Sequence, residues 1–397
     1  VTELPPPAER RCDVLIAGAG LVGLSLAPML ARAGLDVVVA DRSAPAVPET
    51  DPASWDTRIY AISPGSAAFL RGVGAWQALP PERIGPVESM RVAGDDGAVL
   101  AFSAYDYGVR ALAWIVEERA LRAALVPQLH AAGVSLAAPC AFSAIDWGAD
   151  AARLRLADGS SIAAGLIVGA DGVRSWVRDA AGIAARARSY GQSGVVANFG
   201  CERAHHGRAY QWFRADGSIL AWLPMAGRRV SIVWSAGDAL ATELVALDDD
   251  ALAARVAAAG GHALGAFTCI TPAAAFPLQY LRPATVVARR LALIGDAAHG
   301  VHPLAGQGVN LGFGDAQVLA SILRERGPVA DPGAPVLLER YARRRTEPVV
   351  AMQTVTDGLA RLFRNPTPWV RAARNLGLSA VDSFPLAKRI LALSALR

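Results

Sequence analysis

Three short segments carry the residue types and spacings that could do chemistry. The first is Gly18-Ala19-Gly20-Leu21-Val22-Gly23, followed by Asp41 at the end of the next apolar run. Gly18 suits a tight turn, Gly20 lets backbone approach a pyrophosphate, and Gly23 permits close packing of a helix on a strand. The N-terminus of the helix that follows would face phosphate. Asp41, with Arg42 beside it, stands where an adenosine ribose would be met, so the segment reads as a dinucleotide site. These residues do not decide between FAD and NAD.

The second segment, LIVGADGVRSWVR at 166–178, delivers Asp171-Gly172 into a turn at the end of a strand-like run. It has two readings: a ligand contact at the carboxyl end of a parallel strand, or a plain turn with Ser175 capping the next helix. The third, Gly295 to Asp315, puts six glycines, two histidines and two aspartates between a strand-like and a helical run. Asp296 at the strand end can accept from a sugar-like hydroxyl. Gly306, Gln307 and Gly308 expose backbone N–H groups at a helix N-terminus, a positive pole suited to a ring that becomes anionic on reduction. A glycine-rich crossover alone would not need Asp296, Pro303 and Asn310.

The elements that must position these segments follow from periodicity. Residues 12–17 and 35–40 read as buried parallel strands around a helix over 20–33 closed by Gly34, with Pro28 inside the helical pattern. Residues 111–132 read as a helix with one apolar face, and 153–170 as strands leading into Ala170-Asp171-Gly172. From about 190 to 285 the pattern changes to short strand-like pieces around turns. The chain then returns with a strand ending at Asp296 and a long helix from about 308 to 325. From 335 onward it reads as helical, broken at Asn365-Pro366-Thr367-Pro368 and Phe384-Pro385.

Composition removes several classes of function. Hydrophobic residues make up 53% of the 397, yet no uninterrupted apolar run reaches membrane-spanning length. The N-terminal VTELPPPAERR lacks the apolar core of a signal peptide. Cys12, Cys140, Cys201 and Cys269 are far apart, without metal-ligand spacing, so reduced thiols and no metal are expected. Lys388 is the sole lysine, which leaves Schiff-base chemistry almost without candidates. The net charge of +4 is concentrated from Arg361 onward, where seven basic residues face one acid. A basic tail suits an anionic surface or a partner protein better than a nucleic-acid groove along the body.

The order of the three motifs resembles that of FAD-dependent aromatic hydroxylases, the group A flavoprotein monooxygenases. More narrowly, His302-Pro303-Leu304-Ala305-Gly306-Gln307-Gly308-Val309-Asn310-Leu311-Gly312 with Asp315 is similar to the signature of the ubiquinone-biosynthesis hydroxylase family. The segments Asp56 to Ser63 and Gly217 to Pro224 agree with it, although Ser218 stands where proline is common. The resemblance implies an α/β fold: a Rossmann-like FAD-binding domain (10–80, 111–185 and 286–345) and an inserted, mainly antiparallel β-sheet substrate domain (81–110 and 186–285). A helical, basic C-terminal region (346–397) completes it.

For the cofactor it implies contacts from Gly18, Gly20, Gly23, Asp41 and Arg42, from Arg58 and Arg119, and from Asp171. Gly295 and Asp296 would meet the ribitol, and Pro303, Gly306, Gln307, Gly308, Val309 and Asn310 the isoalloxazine ring. No catalytic side chain is assigned; Pro303, Gly306 and Gly308 line the ring, and His299 and His302 are read as holding backbone. Trp212, Trp222, Pro224 and Trp234 are candidates for a ring-binding face, with core packing as the other reading.

The implied reaction is hydroxylation of a polyprenylated phenol or quinol in ubiquinone biosynthesis, using NAD(P)H and O2 through a flavin C4a-hydroperoxide. No second glycine motif serves the nicotinamide cofactor, which would act as a transient reductant. A small soluble phenol as substrate, or a flavin-binding subunit without turnover, remain the alternatives. The protein is expected to be cytoplasmic and peripheral at the inner face of the membrane. There Trp369 and Leu376, amid Arg361, Arg364, Arg371 and Arg374, would meet anionic lipid or a quinone-biosynthesis complex.

Overall fold

The computed structural model describes residues 9–45, 54–327, 329–365, 367, 369–370 and 374–376. Apolar runs buried on both faces make a parallel sheet. Its strands lie in the order Leu291–Leu293, Ser161–Gly169, Glu9–Ala17, Val37–Ala40 and Ser135–Ala137, each parallel to its neighbour. The antiparallel pair Phe142–Trp147 and Ala152–Leu156 extends from Ser161–Gly169. Helices Leu21–Arg32, Glu118–Ala131 and Gly308–Arg324 pack with this sheet in one apolar core. Because the strands are parallel, their carboxyl ends share one edge, and Gly18, Asp41, Asp171 and Asp296 all follow those ends.

The second layer is a twisted sheet in the order Phe267–Cys269, Ala185–Cys201, Arg229–Gly237, Ile219–Met225, Arg208–Phe213, Ser89–Ala93 and Val99–Ser103. Ala274–Pro283 also pairs with Ala185–Cys201, and every pairing is antiparallel except that of Arg208–Phe213 with Ser89–Ala93. Between the layers runs a small sheet of Ile59–Ile62, Ala113–Glu117 and Gly85–Val87.

Three readings of the sequence change here. The helix expected over 111–132 begins only at Glu118; Ala113–Glu117 is a strand. Its Trp-Ile-Val core is β-prone, and Glu117 is buried where Arg83 (2.7 Å), Arg119 (3.2 Å) and the Asp56 N–H (2.6 Å) hold it. The stretch read as strands from 190 to 285 also contains the helices Asp238–Ala246 and Asp249–Ala259, which back the second sheet. Finally, one helix, Pro335–Arg364, runs unbroken through the expected boundary at 345/346.

The basic C-terminal surface is also corrected in part. Arg374 is buried, pairing with Asp95 at 2.5 Å and donating to the carbonyls of Leu362, Phe363 and Asn365. Arg364 donates to the Tyr190 carbonyl, and Arg361 pairs with Asp357. Trp369 and Leu376 are exposed. Arg371, Lys388, Arg389 and Arg397 lie outside the described residues. No helix among the described residues is long and apolar enough to cross a membrane.

Candidate active site

Two clefts meet at the edge where the parallel strands end. The first, about 440 Å³, is lined by Gly18, Gly20, Asp41, Arg42, Asp171, Gly295 and Asp296. The second, about 850 Å³, lies between the layers and is walled mainly by aliphatic and aromatic side chains, with Pro303, Gly306 and Gln307 along one side. Arg58, Tyr60, Arg174, Asp296, Gly308 and Val309 line both and so mark the junction.

Each glycine of the first motif has a separate physical role. Gly18 adopts φ +120°, and a Cβ on it would overlap the Ala170 carbonyl. A Cβ on Gly23 would overlap the Gly18 carbonyl oxygen, so the helix can sit this close only as glycine. At Gly20 a Cβ would meet nothing within 4 Å, because the position opens onto the cleft. The helix that begins at Leu21 has no acid in its first turn and no side-chain cap, leaving its N–H groups free for a ligand. The helix that begins at Gly308 has the same uncapped N-terminus, at the junction of the clefts.

The acids are held rather than loose. Asp41 accepts from the N–H of Ala19 (2.6 Å) and of Ser43 (2.8 Å), which fixes it against the glycine turn with lone pairs left for a ribose. Asp171 accepts from the Ser175 hydroxyl (2.5 Å) and the Val177 N–H (3.0 Å), while the Ser175 hydroxyl caps Arg178. Asp171 thus lines the cleft and also ties down the turn. Asp296 is open to the cleft but otherwise enclosed by protein. That desolvation raises its carboxyl above the ordinary value, against the opposing pull of His299 and Arg58.

A buried network sets the Gly295-Asp296 loop. Asp315 accepts from the Gly295 N–H (2.8 Å), His299 Nε2 (2.6 Å) and Arg345 Nε (2.6 Å). Burial would raise its carboxyl, yet His299, Arg345 and the Gly295 N–H outweigh burial and hold it below the ordinary range. His302 is fully buried beside Tyr190 and Gln192, and burial pushes its imidazole down to about 4. Both histidines sit in packed surroundings and line neither cleft.

Several sequence candidates are placed elsewhere. Arg119 lines neither cleft; it binds Ser54 and Glu117. Arg122, one turn on, lines the first cleft instead, and Glu118 (2.9 Å) holds it in place. Glu118 also pairs with Arg58 at 3.0 Å. The signal that could have found them is the i, i+4 spacing of Glu118 and Arg122 on one helix face. Asn310 is a clamp: its amide donates to the Ala61 and Gly306 carbonyls and its oxygen accepts from the Ser63 N–H.

Trp212, Trp222, Pro224 and Trp234 do not line the larger cleft. They sit on the opposite face of the sheet, where the three tryptophans pack with the backing helices, and Trp234 donates to the Ser218 hydroxyl. Strand alternation gives the cleft their neighbours Gln211, Ala221, Leu223, Val233 and Ser235.

The group implied by the first motif can be tested against these residues. Two uncapped helix N-termini, a glycine opening onto the cleft and a fixed acid at the second strand end fit a dinucleotide carrying a pyrophosphate.

A family model described as FAD binding domain matches residues 11–356. The chain is 37% identical over 385 residues to the ubiquinone hydroxylase UbiL of Rhodospirillum rubrum, covering 96% of this chain and 89% of that one. It is 35% identical over 381 residues to the 3-demethoxyubiquinol 3-hydroxylase of Escherichia coli, covering 95% of this chain and 96% of that one. Its fold is similar to that of HpxO from Klebsiella pneumoniae, solved with FAD and uric acid. There the TM-score is 0.75 at 21% identity, covering 97% of each chain.

Proposed function

Because the chain belongs to the FAD-dependent ubiquinone-biosynthesis monooxygenases, we propose that it hydroxylates the aromatic ring of a prenylated phenol or quinol intermediate. The observation that carries this reading is the meeting of two unlike clefts. One has the backbone groups and fixed acid of a dinucleotide site; the other is large and apolar enough for a ring with a hydrocarbon tail.

In this reading Gly18, Gly20 and the helix from Leu21 hold the pyrophosphate, with Arg122, Arg42 and Arg58 supplying positive charge around it. Asp41 takes the adenosine ribose and Asp296 the ribitol. Pro303, Gly306, Gln307, Gly308 and Val309 lie along the ring, with Asn310 fixing their backbone. Bound FAD, reduced by NAD(P)H, supplies the activation of O2. The chain's own part is to place the substrate ring at the junction, to exclude water with the apolar wall, and to set the positive end of the helix at Gly308 beside developing negative charge. Exposed Trp369 and Leu376 support a peripheral contact with the lipid surface that would hold a prenylated substrate.

Two expected outcomes test this. In bacterial strains each lacking one ubiquinone ring hydroxylase, the chain is expected to restore ubiquinone in at least one and remove its accumulated intermediate; rescue of none would sink the substrate assignment. The parity of the second sheet gives a sharper contrast. Val233→Trp fills the cleft and is expected to abolish turnover with FAD content unchanged. Trp234→Phe, on the other face, loses the bond to Ser218 and about 1–2 kcal/mol of stability but keeps turnover. Equal turnover in the two variants would contradict this placement of the substrate.

A further inference from the structure

Three buried polar side chains among the described residues line the larger cleft: Ser63, Gln211 and Ser235. The Ser63 hydroxyl is committed to Ser66. Gln211 and Ser235 are 7% and 3% exposed; their side chains hydrogen-bond to no group among the described residues, and their polar atoms stay open to the cleft. An amide or hydroxyl in such a wall loses its water when a ligand fills the cleft, which is costly unless a polar group of the ligand meets it there.

Their neighbours are small or aliphatic. Gln211 stands in one cross-strand row with Ala221, Val233 and Val196, all facing the cleft. Ser235 stands in the adjoining row with Ile219 and Gly194. Ile219 belongs to the same apolar cluster as Leu304 of the loop that follows His302. The cations lining the cleft are Arg58 and Arg174 at the junction, and Arg58 is paired with Glu118. The floor therefore offers neutral donors and acceptors rather than charge.

We propose that Gln211, assisted by Ser235, forms a subsite for a neutral oxygen substituent of the substrate ring, such as a phenolic hydroxyl or methoxy group. This rests on the reading of the larger cleft as the substrate site. The carboxamide donates from its NH2 or accepts at its oxygen, so a ring oxygen is held from the sheet side and the choice of ring carbon presented at the junction is set from there. Apolar contact with Ala221 and Val233 supplies affinity, and the polar pair supplies orientation.

The test is a calorimetric titration of the oxidised, FAD-loaded protein with two probes, 2-prenylphenol and prenylbenzene, which differ only in the ring oxygen. Wild-type protein is expected to prefer the phenol by about tenfold, as one or two net hydrogen bonds allow. Gln211→Met keeps the length of the side chain and is expected to bring the preference below about twofold, with prenylbenzene binding unchanged. Ser235→Ala, a smaller change, is expected to reduce the preference by about threefold. Retention of the wild-type preference in both variants overturns the proposal, and so does an equal loss for both probes, which marks a purely structural role. Rescue of the hydroxylase-deficient strains by wild-type protein is independent of this ratio, so the two readings fail separately.

Discussion

Gly23→Ala is expected to cost the protein its FAD. The added Cβ would overlap the Gly18 carbonyl oxygen, a backbone atom that cannot rotate away. The helix from Leu21 must then retreat from the turn, carrying its N-terminal N–H groups off the pyrophosphate position. A misplacement of that size is expected to weaken FAD binding by more than about 100-fold, equivalent to roughly 3 kcal/mol. Flavin retained after gel filtration and the Kd from titration of the apoprotein measure it. Gly20→Ala is the companion variant. Gly20 has an ordinary φ of −75°, and its Cβ would meet no protein atom within 4 Å. Its thermal stability should match wild type while FAD binding weakens, because only a bound ligand would collide with the methyl group. Undiminished FAD affinity in both variants would contradict the assignment of this cleft.

The second large effect is expected at Asp315. Its carboxylate is buried between His299, Arg345 and the Gly295 N–H, and Asp315→Ala leaves the Arg345 guanidinium buried without its partner. Removing one member of such a group costs about 3–5 kcal/mol, read as a lower urea midpoint at unchanged slope. Asp315→Asn keeps the shape but not the charge and should fall between wild type and alanine. The pH dependence has a fixed sign. A carboxyl held below its ordinary 3.8 in the folded protein stabilises the fold at all higher pH. That contribution is lost as pH falls below 3.8 through the folded value, so the wild-type advantage over Asp315→Asn should narrow only in that acid range. Because the same carboxylate holds the Gly295 N–H, both variants should also retain less FAD.

The parts legible in the sequence were those set by local backbone. A turn that needs φ +120° at Gly18, and a helix that tolerates no Cβ at Gly23, leave glycines at fixed offsets. Strands buried on both faces leave apolar runs, and three of these runs lead to Asp41, Asp171 and Asp296 at the shared edge. What the sequence hid depended on phase. Val233 and Trp234 are adjacent in the chain yet face opposite sides of a sheet. A tryptophan draws attention to the wrong parity because its size suits the packing against the helices as well as it would a ring site.

Arg119 and Arg122 stand three apart, neighbours on one helix surface, yet only Arg122 lines the first cleft. Starting the helix at 111 instead of Glu118 loses its true first turn, and with it the face that Glu118 and Arg122 share. Asn310 belongs to the loop signature, but its partners Ala61 and Ser63 lie some 250 residues earlier, a contact that no local pattern announces. Gln211 gave no signal at all in the sequence. Its meaning comes from a polar side chain opening onto the cleft from a wall of aliphatic side chains, which only the assembled sheet displays.

This chain is expected to insert one atom of O2 into the ring of a prenylated phenol. The direct measurement is turnover of the FAD-loaded protein with NAD(P)H, a prenylated phenol and ¹⁸O-labelled O2, following product mass and NAD(P)H consumption together. The expected result is a hydroxylated product carrying one labelled oxygen, with one NAD(P)H consumed for each product formed. A product labelled from water, or NAD(P)H oxidation that leaves the ring unchanged across prenylated phenols, would contradict it.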